Sequence, residues 1–238
     1  THVPMKCILM ADNVQRDSLI NDILRKAKKY DVPVKSISRK KLDEISERGS
    51  HQGVMAETKP FDYVNVTTIL EAAEKSAAEH DGRALIVVLD HLTDAGNLGA
   101  IARSAESVGA CGIIIPNKRA AHVTAATYKS SAGAIAHIPV SQVANISTCL
   151  DRLKKEGFWV AAATEHAQEY VWDANLKGRI VLVMGNEGEG VSRLVLESCD
   201  FGVKLPQVGD ISSLNVAQAS TACMYEWLRQ NYAALAAE

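Results

Sequence analysis

The sequence contains no apolar run close to the ~20 residues that cross a membrane as a helix. Its N-terminus also lacks the basic segment followed by an apolar segment that marks a secretory signal peptide. These absences argue against a membrane partner and predict a cytoplasmic protein. The first residue is Thr1 rather than Met, and the strand-like stretch "MKCILMA" follows almost at once, so we expect a trimmed or processed start.

Cysteine is scarce, and the five residues are odd in number and never spaced as C-x-x-C. This pattern supports neither a disulfide framework nor a zinc site. It predicts buried thiols in a reducing compartment and no bound metal. The cysteines are Cys7, Cys111, Cys149, Cys199 and Cys223.

A strong net charge is also absent, because 26 Lys and Arg residues face 28 Asp and Glu residues. Nucleic-acid binding would therefore need a local basic patch. Residues 25–48 contain nine basic and four acidic side chains, a local surplus of five positive charges. The stretch fits either an RNA-docking face or the solvated face of a helix.

The 238 residues, 47% of them hydrophobic, suffice for one large or two ordinary domains. Strand-like and helix-like stretches alternate at first, which predicts a small α/β domain over residues 1–68. The segment 69–82 is rich in Ala, Glu and Lys and predicts a helical linker that ends at Gly82.

Residues 83–238 predict a second α/β domain. Its strand-like stretches are apolar without alternation, as in parallel strands that helices cover on both faces. Any site in such a sheet is expected in the loops at the carboxyl ends of the strands. The stretches are "ALIVVLD", "GIIIP", "FWVAAAT", "RIVLVMG" and "FGVKLP", and the helices between them are "NLGAIARSAESVG", "ISTCLDRLKKEG", "VSRLVLESC" and a last helix from residue 213.

Three polar or glycine-containing loops follow strands of this second region. The first places Asp94 or Asn97 at the start of a helix that carries Arg103. The third places Ser213 and Asn215 around the start of the last helix. A capped helix explains each loop taken alone, but the convergence of three such loops on one sheet indicates a functional site.

The second loop, "MGNEGEGVS", carries the unusual chemistry. Its glycines follow the order G-x-x-G-x-G instead of the dinucleotide-binding G-x-G-x-x-G, and no Lys-Ser/Thr pair follows to complete a P-loop. Glu187 and Glu189 would repel a phosphate in a poorly screened crevice. The loop suits a ligand with a cationic part or a neighbouring arginine, and the alternative is a plain turn with exposed glutamates.

Together, "NLGAIARSAESVGA", "VLVMGNEGEGVS" and "LPQVGDISSLNVAQASTACMYEW" resemble the three motifs of the SPOUT superfamily. The similarity is to its TrmH-like branch of S-adenosyl-L-methionine-dependent RNA 2′-O-ribose methyltransferases. The N-terminal part, with "SHQGVMAE", is similar to the small ribosomal-protein-like RNA-binding domain that precedes many of these enzymes. The resemblance implies an α/β-knot fold with a deep trefoil knot, an exception to unknotted topology. It also implies a homodimer whose active sites borrow residues from the partner.

The resemblance assigns functional residues by motif position. Arg103 would be the catalytic arginine, and the polar residues grouped around it would be Asn97, Glu187, Ser213 and Asn215. The cofactor pocket would include Gly185, Leu205, Leu214, Thr164 and Asn186. Glu187 would orient Arg103, within the chain or from the partner subunit, and add negative potential beside the cationic cofactor. Arg103 would grip a phosphate and the hydroxyl instead of acting as a base, because a guanidinium stays protonated.

The appended domain makes the basic stretch a candidate RNA-docking face. Its candidates are Lys28, Lys29, Arg39, Lys40, His51 and Gln52, and Ser131 joins them from "YKSSAGAIAHIPV", which resembles a family segment near the substrate cleft. His51 on its own fits a turn or cap residue better.

We therefore expect methylation of a ribose 2′-hydroxyl in structured RNA, with 23S rRNA and guanosine favoured, because short tRNA-modifying relatives usually lack an appended domain. A tRNA methyltransferase and an rRNA-methylating antibiotic-resistance enzyme stay open. A catalytically inactive RNA-binding module also stays open, although the complete polar set disfavours it. The glycine order disfavours a nucleotide-dependent α/β enzyme.

Overall fold

The computed structural model describes residues 5–46, 51–210 and 213–232. The chain divides into two compact units, Thr1–Phe61 and Asp62–Glu238. Each unit alternates strands and helices, so the predicted α/β class is confirmed for both.

The first unit is a three-stranded sheet with two helices. Its elements are β1 (Met5–Ala11), α1 (Ser18–Lys29), β2 (Val34–Ile37), α2 (Arg39–Ile45) and β3 (Val54–Thr58). The central strand β1 pairs in parallel with β2 and antiparallel with β3. Cys7, Leu9 and Ala11 of this apolar strand form a small core with Leu42 of α2.

Helix α1 is amphipathic and basic at its end. Asp17 caps it by accepting a hydrogen bond from the Ile20 N–H at 2.8 Å, which satisfies one of the free donors of the first turn. Ile20 and Ala27 are buried. Lys28 and Lys29 lie exposed in the last turn, where the helix dipole favours cations.

The second unit is built on a seven-stranded parallel sheet in the order β6-β5-β4-β9-β7-β10-β8. Its elements are α3 (Val66–Glu79), β4 (Ala84–Leu89), α4 (Ala95–Ser107), β5 (Gly112–Pro116), α5 (Ala125–Ser130), β6 (Val140–Val143), α6 (Ile146–Lys155), β7 (Trp159–Ala163), β8 (Glu169–Tyr170), β9 (Arg179–Met184), α7 (Arg193–Glu197), β10 (Phe201–Lys204) and α8 (Val216–Tyr232). Strand β4 is buried along its whole length. The unbroken apolar runs therefore predicted parallel, covered strands correctly.

The predicted linker helix is part of the second unit. Ile69 and Ala73 of α3 are fully buried in the core that also contains residues of the sheet. A Cβ added to Gly112 of β5 would lie 2.7 Å from the Ile69 side chain, so the helix packs tightly against that strand. The second unit begins at Asp62 and so includes the helix that the sequence predicted as a linker, and this helix ends at Glu79.

The short elements β6, β8 and α5 of the second unit were among those that escaped prediction. Strands β6 and β8 form the two edges of the sheet, where strands are often short and need no long apolar run. Helix α8 also begins later than predicted, at Val216, because the Asn215 side chain accepts a hydrogen bond from the Ala217 N–H at 2.9 Å.

The five cysteines are free thiols, and all but the partly exposed Cys199 are buried, in agreement with the sequence prediction. Burial raises the pKa of Cys149 to about 11 and that of Cys223 to about 12. Within the described ranges, no helix is both long and apolar enough to cross a membrane. The same ranges hold no group of three or more His, Cys, Asp or Glu side chains placed to bind a metal ion.

Candidate functional site

The polar loops that follow β4, β9 and β10 come together at the carboxyl ends of the strands. β4 pairs with β9 in a parallel register that sets Leu89 opposite Met184. The first loop residues, Asp90 and Gly185, therefore follow these strands at the same level of the sheet, and the Asp90 N–H donates to the Met184 carbonyl at 2.7 Å.

The glycine-rich loop after β9 folds back tightly on itself. Asn186 and Gly190 exchange two backbone hydrogen bonds of 3.1 Å. The Asn186 side-chain oxygen accepts from the N–H groups of Gly188 at 2.9 Å and Glu189 at 2.7 Å. A Cβ on Gly185 would lie 1.9 Å from the Gly190 carbonyl carbon, so only glycine permits this close approach. The compact turn presents Glu187 at its tip.

Asp90 anchors the far end of the same loop. Its carboxylate is fully buried and accepts a hydrogen bond from the Ser192 N–H at 2.7 Å. The second carboxylate oxygen lies 2.5 Å from Nδ1 of His91, a residue with a left-handed φ of 56°. Asp90 was not among the residues predicted for the site, although its position directly after a buried strand matches that of Gly185.

Glu187 bonds to two asparagines that are far apart in the sequence. Its Oε1 accepts hydrogen bonds from Nδ2 of Asn97 at 2.5 Å and from Nδ2 of Asn215 at 2.9 Å. Nδ2 of Asn215 also lies 3.0 Å from Oδ1 of Asn97. Asp94, and not Asn97, caps α4, because its Oδ1 accepts from the Asn97 N–H at 2.6 Å. We call Asn97, Glu187 and Asn215 the amide–carboxylate cluster.

Arg103 lies outside this cluster. It is exposed on α4, and no other described residue forms a hydrogen bond or ion pair with its guanidinium. Six residues of helix rotate the side-chain direction by about 600°, a net angle of about 240°. Arg103 and Asn97 therefore face different directions. Within one chain, Glu187 accepts hydrogen bonds from amide donors and not from Arg103, so its predicted role in orienting Arg103 would require the arginine of a partner subunit.

A cleft of about 500 Å³ opens beside the cluster. All five residues assigned to the cofactor pocket line it: Thr164, Gly185, Asn186, Leu205 and Leu214. Glu187 and Ser213 also line it, so the cleft and the cluster share the Glu187 side chain. The structure thus brings together nine of the ten residues that the motifs singled out in this unit, and leaves Arg103 apart.

The lining of the cleft carries charges of both signs. Three carboxylates belong to it, from Glu165, Glu187 and Glu189. Lys204 supplies an ammonium group, which lies 5.1 Å from the centre of the Tyr170 ring. Cys223 adds no charge near neutral pH, because burial raises the pKa of its thiol to about 12. Lys204 and Tyr170 gave no motif signal, since only the pairing of β10 with β8 sets them side by side.

The residues proposed for RNA docking differ in their exposure to solvent. Lys28, Lys29, Arg39, Lys40 and Gln52 are exposed in the first unit. Arg48 of the same basic stretch lies outside the described residues.

Two of the RNA-docking predictions are corrected. The His51 side chain is only 6% exposed, because its ring accepts from the Gly53 N–H at 2.9 Å and lies 2.7 Å from an Asp43 oxygen. It is a turn residue. Ser131 is fully buried, and its hydroxyl donates to the Tyr128 carbonyl at 3.1 Å, so it does not lie on an RNA-facing surface.

Known families match both units of the chain. The SpoU rRNA Methylase family matches residues 84–225, and the RNA 2′-O ribose methyltransferase substrate binding family matches residues 1–64. A protein of Staphylococcus aureus (strain MSSA476), provisionally named a TrmH family tRNA/rRNA methyltransferase, is 38% identical over 232 residues. The alignment covers 96% of this chain and 90% of the relative.

Solved structures share the fold. The SpoU methyltransferase AviRb from Streptomyces viridochromogenes, solved in complex with the cofactor AdoMet, matches with a TM-score of 0.78 at 24% identity, over 98% of this chain and 85% of AviRb. A TrmH/SpoU tRNA modifying enzyme from A. aeolicus matches with a TM-score of 0.58 at 26% identity, over 69% of this chain and 85% of its own. The predicted resemblance to TrmH-like methyltransferases is confirmed.

Proposed function

Because the chain belongs to the SpoU rRNA methylase family of RNA methyltransferases, we propose that it methylates the 2′-hydroxyl of a ribose in structured RNA. The methyl donor is S-adenosyl-L-methionine (AdoMet). The observation that carries this proposal is the amide–carboxylate cluster, whose Glu187 also lines the cleft.

The residues of the cleft fit AdoMet. The volume of about 500 Å³ falls within the range of roughly 300–1,000 Å³ that is usual for small-molecule sites. Gly185 and Gly190 line the cleft in close backbone contact, so main-chain groups border it, and the carboxylates suit the cationic sulfonium and α-amino groups of AdoMet. The fold is also that of AviRb, which was solved with AdoMet.

AdoMet, when bound, supplies an activated methyl group, so the protein has to orient the ribose and assist loss of a weakly acidic proton. The amide–carboxylate cluster holds Glu187 in one position, where its charge favours the cationic donor. Arg103 binds an RNA phosphate and the 2′-hydroxyl by donating hydrogen bonds from its planar guanidinium. The proton leaves late or passes to water, because a guanidinium does not accept it at neutral pH.

Arg103 reaches this site from a partner subunit. Its guanidinium is exposed and finds no acceptor among the described residues of its own chain. A homodimer in which the partner's arginine enters each cleft explains both the exposure of this guanidinium and its lack of an acceptor within the described part of its own chain. The knot around the cofactor loops remains a prediction from the family resemblance.

The substrate is 23S rRNA, with guanosine as the favoured nucleotide, and the enzyme acts in the cytoplasm. The first unit supports an RNA substrate, since it matches the substrate-binding family and exposes lysines at the end of α1. The name of the Staphylococcus relative includes both tRNA and rRNA. A tRNA methyltransferase and an rRNA-methylating resistance enzyme are therefore the alternatives.

The test is to incubate the protein with labelled AdoMet and with total rRNA or tRNA from a methylation-deficient host. Alkaline hydrolysis then cleaves every linkage except those that follow a 2′-O-methyl ribose. Label in one resistant rRNA linkage supports the proposal, and label in tRNA supports the first alternative. AdoMet binding without label in any RNA would indicate an inactive RNA-binding module.

A further inference from the structure

The charges that line the cleft are unbalanced toward the negative. The carboxylates of Glu165, Glu187 and Glu189 face a single lysine, Lys204, within the described lining. AdoMet carries two cationic groups and one carboxylate. Three protein carboxylates suit the cations, but the ligand carboxylate needs a positive partner to enter the same crevice.

Lys204 has the geometry of such a partner. It stands directly opposite Tyr170 in the parallel pairing of β10 with β8. Its Nζ lies 5.1 Å from the centre of the Tyr170 ring, an arrangement that restrains the long side chain while leaving its three donors free. Among the described residues, no carboxylate forms an ion pair with Lys204, and the residue is half-buried.

The other basic side chain of the lining is already engaged. Nε2 of His166 lies 3.7 Å from a carboxylate oxygen of Glu165, and the His166 side chain is 83% exposed. A histidine that exposed and so close to a carboxylate is a poor anchor for a second anion. Lys204 is therefore the group best suited to an anionic part of the ligand.

We propose that Lys204, held by the Tyr170 ring, binds the carboxylate of the methionine portion of AdoMet and so fixes the end-to-end orientation of the donor in the cleft. This inference rests on the proposed function and adds a residue that selects the donor. A charge-assisted contact of this kind discriminates strongly against a ligand that lacks the carboxylate.

The test compares AdoMet with decarboxylated AdoMet, which keeps the sulfonium and amino groups but lacks the carboxylate. Calorimetric titration of the full chain gives the dissociation constant of each ligand without any need for turnover. The wild type should bind AdoMet about tenfold or more tightly than the decarboxylated ligand. In Lys204→Gln this ratio should fall to near one, through loss of AdoMet affinity alone.

Three further variants make the result specific. Lys204→Arg should keep most of the preference, and Tyr170→Phe should keep it because the ring remains. Lys177→Gln removes an exposed lysine just before β9, at the opposite end of the sheet from the cleft, and should leave the ratio unchanged.

An unchanged ratio in a folded Lys204→Gln protein, judged by its thermal denaturation, would overturn the inference while leaving the proposed function standing. Failure of the wild type to bind AdoMet would overturn both.

Discussion

Among the residues that the structure describes, Glu187 is held by neutral amides and not by a cation. Its carboxylate accepts hydrogen bonds from two asparagine side chains, Asn97 and Asn215. Neutral donors orient a carboxylate without cancelling its charge, whereas an arginine partner would do both. The negative charge of Glu187 therefore stays available to a cationic ligand in the cleft.

Glu187→Gln tests this role. A glutamine has one oxygen and one NH₂ group, so it keeps an acceptor for the two asparagines but loses the charge that favours a cationic donor. We expect a loss of roughly tenfold or more in AdoMet affinity or in the rate of methyl transfer. Glu189→Gln is the matched control, because Glu189 lines the same cleft but bonds to Asn186 only through its backbone N–H. Equal losses in both variants would contradict a specific role of Glu187.

Arg103→Lys distinguishes a role of the planar, bidentate guanidinium from a role of its positive charge alone. Lysine keeps the charge but cannot donate two parallel hydrogen bonds to phosphate and hydroxyl. We expect at least a tenfold fall in kcat/KM for RNA methylation, with AdoMet affinity unchanged. Arg193→Lys, at another exposed arginine that pairs with Glu197, should have no effect. Near-full turnover of Arg103→Lys would rule out the bidentate role.

At the scale of elements, the loop after β9 is held at both ends and its backbone is closely packed at Gly185. Asp90 holds Ser192 at its end, and Gly185 touches the backbone of Gly190 at its start. A rigid loop keeps Glu187 in place before the ligand arrives, which reduces the entropy lost on binding.

Gly185→Ala should disrupt this loop. The added methyl group would lie 1.9 Å from a backbone carbon, so the chain has to shift. We expect a destabilisation of about 1–3 kcal/mol and a clear loss of AdoMet affinity, measured by denaturant unfolding and calorimetry. Gly188→Ala is the control, because its Cβ would lie 3.7 Å from the nearest atom, Oδ1 of Asn186. A Gly185→Ala protein with normal stability and affinity would show that the close approach is dispensable.

At the scale of the whole molecule, the chain has two units with separate cores. The proposed function assigns donor binding to the second unit and RNA binding to the first. The second unit contains the cleft and the amide–carboxylate cluster, and the first exposes lysines on α1. Affinity for RNA should therefore depend on residues that leave donor binding untouched.

Replacing Lys28 and Lys29 with glutamine tests this division. Loss of phosphate contacts should weaken RNA binding at every sequence and reduce the slope of log affinity against log salt by about 0.7–0.9 per contact. AdoMet affinity should not change. The control replaces Lys75 and Lys155, two exposed lysines of the second unit, with glutamine. This control should leave the salt slope unchanged. An identical salt slope in the wild type and the α1 variant would show that this helix does not contact RNA.

The sequence predicted elements better than contacts. The runs in β1, β4 and β9 are apolar because their strands are buried, so local pattern sufficed. The edge strands β6 and β8 were missed because pairing with one neighbour stabilises them without such a run. The cofactor residues taken from the motifs all line the cleft, whereas Lys204 and Tyr170 emerged only from the strand pairing.

The sequence by itself determined the α/β class, the family and the loops that carry the polar residues, because these follow from local periodicity and from the order of the motifs. Only the tertiary structure decided which of those residues touch. It joined Glu187 to Asn97 across 90 positions and Asn215 to Asn97 across 118 positions, and it buried Ser131. The physical reason is that such contacts depend on strand order and helix facing, which place β4 beside β9 and turn Arg103 away from the cluster.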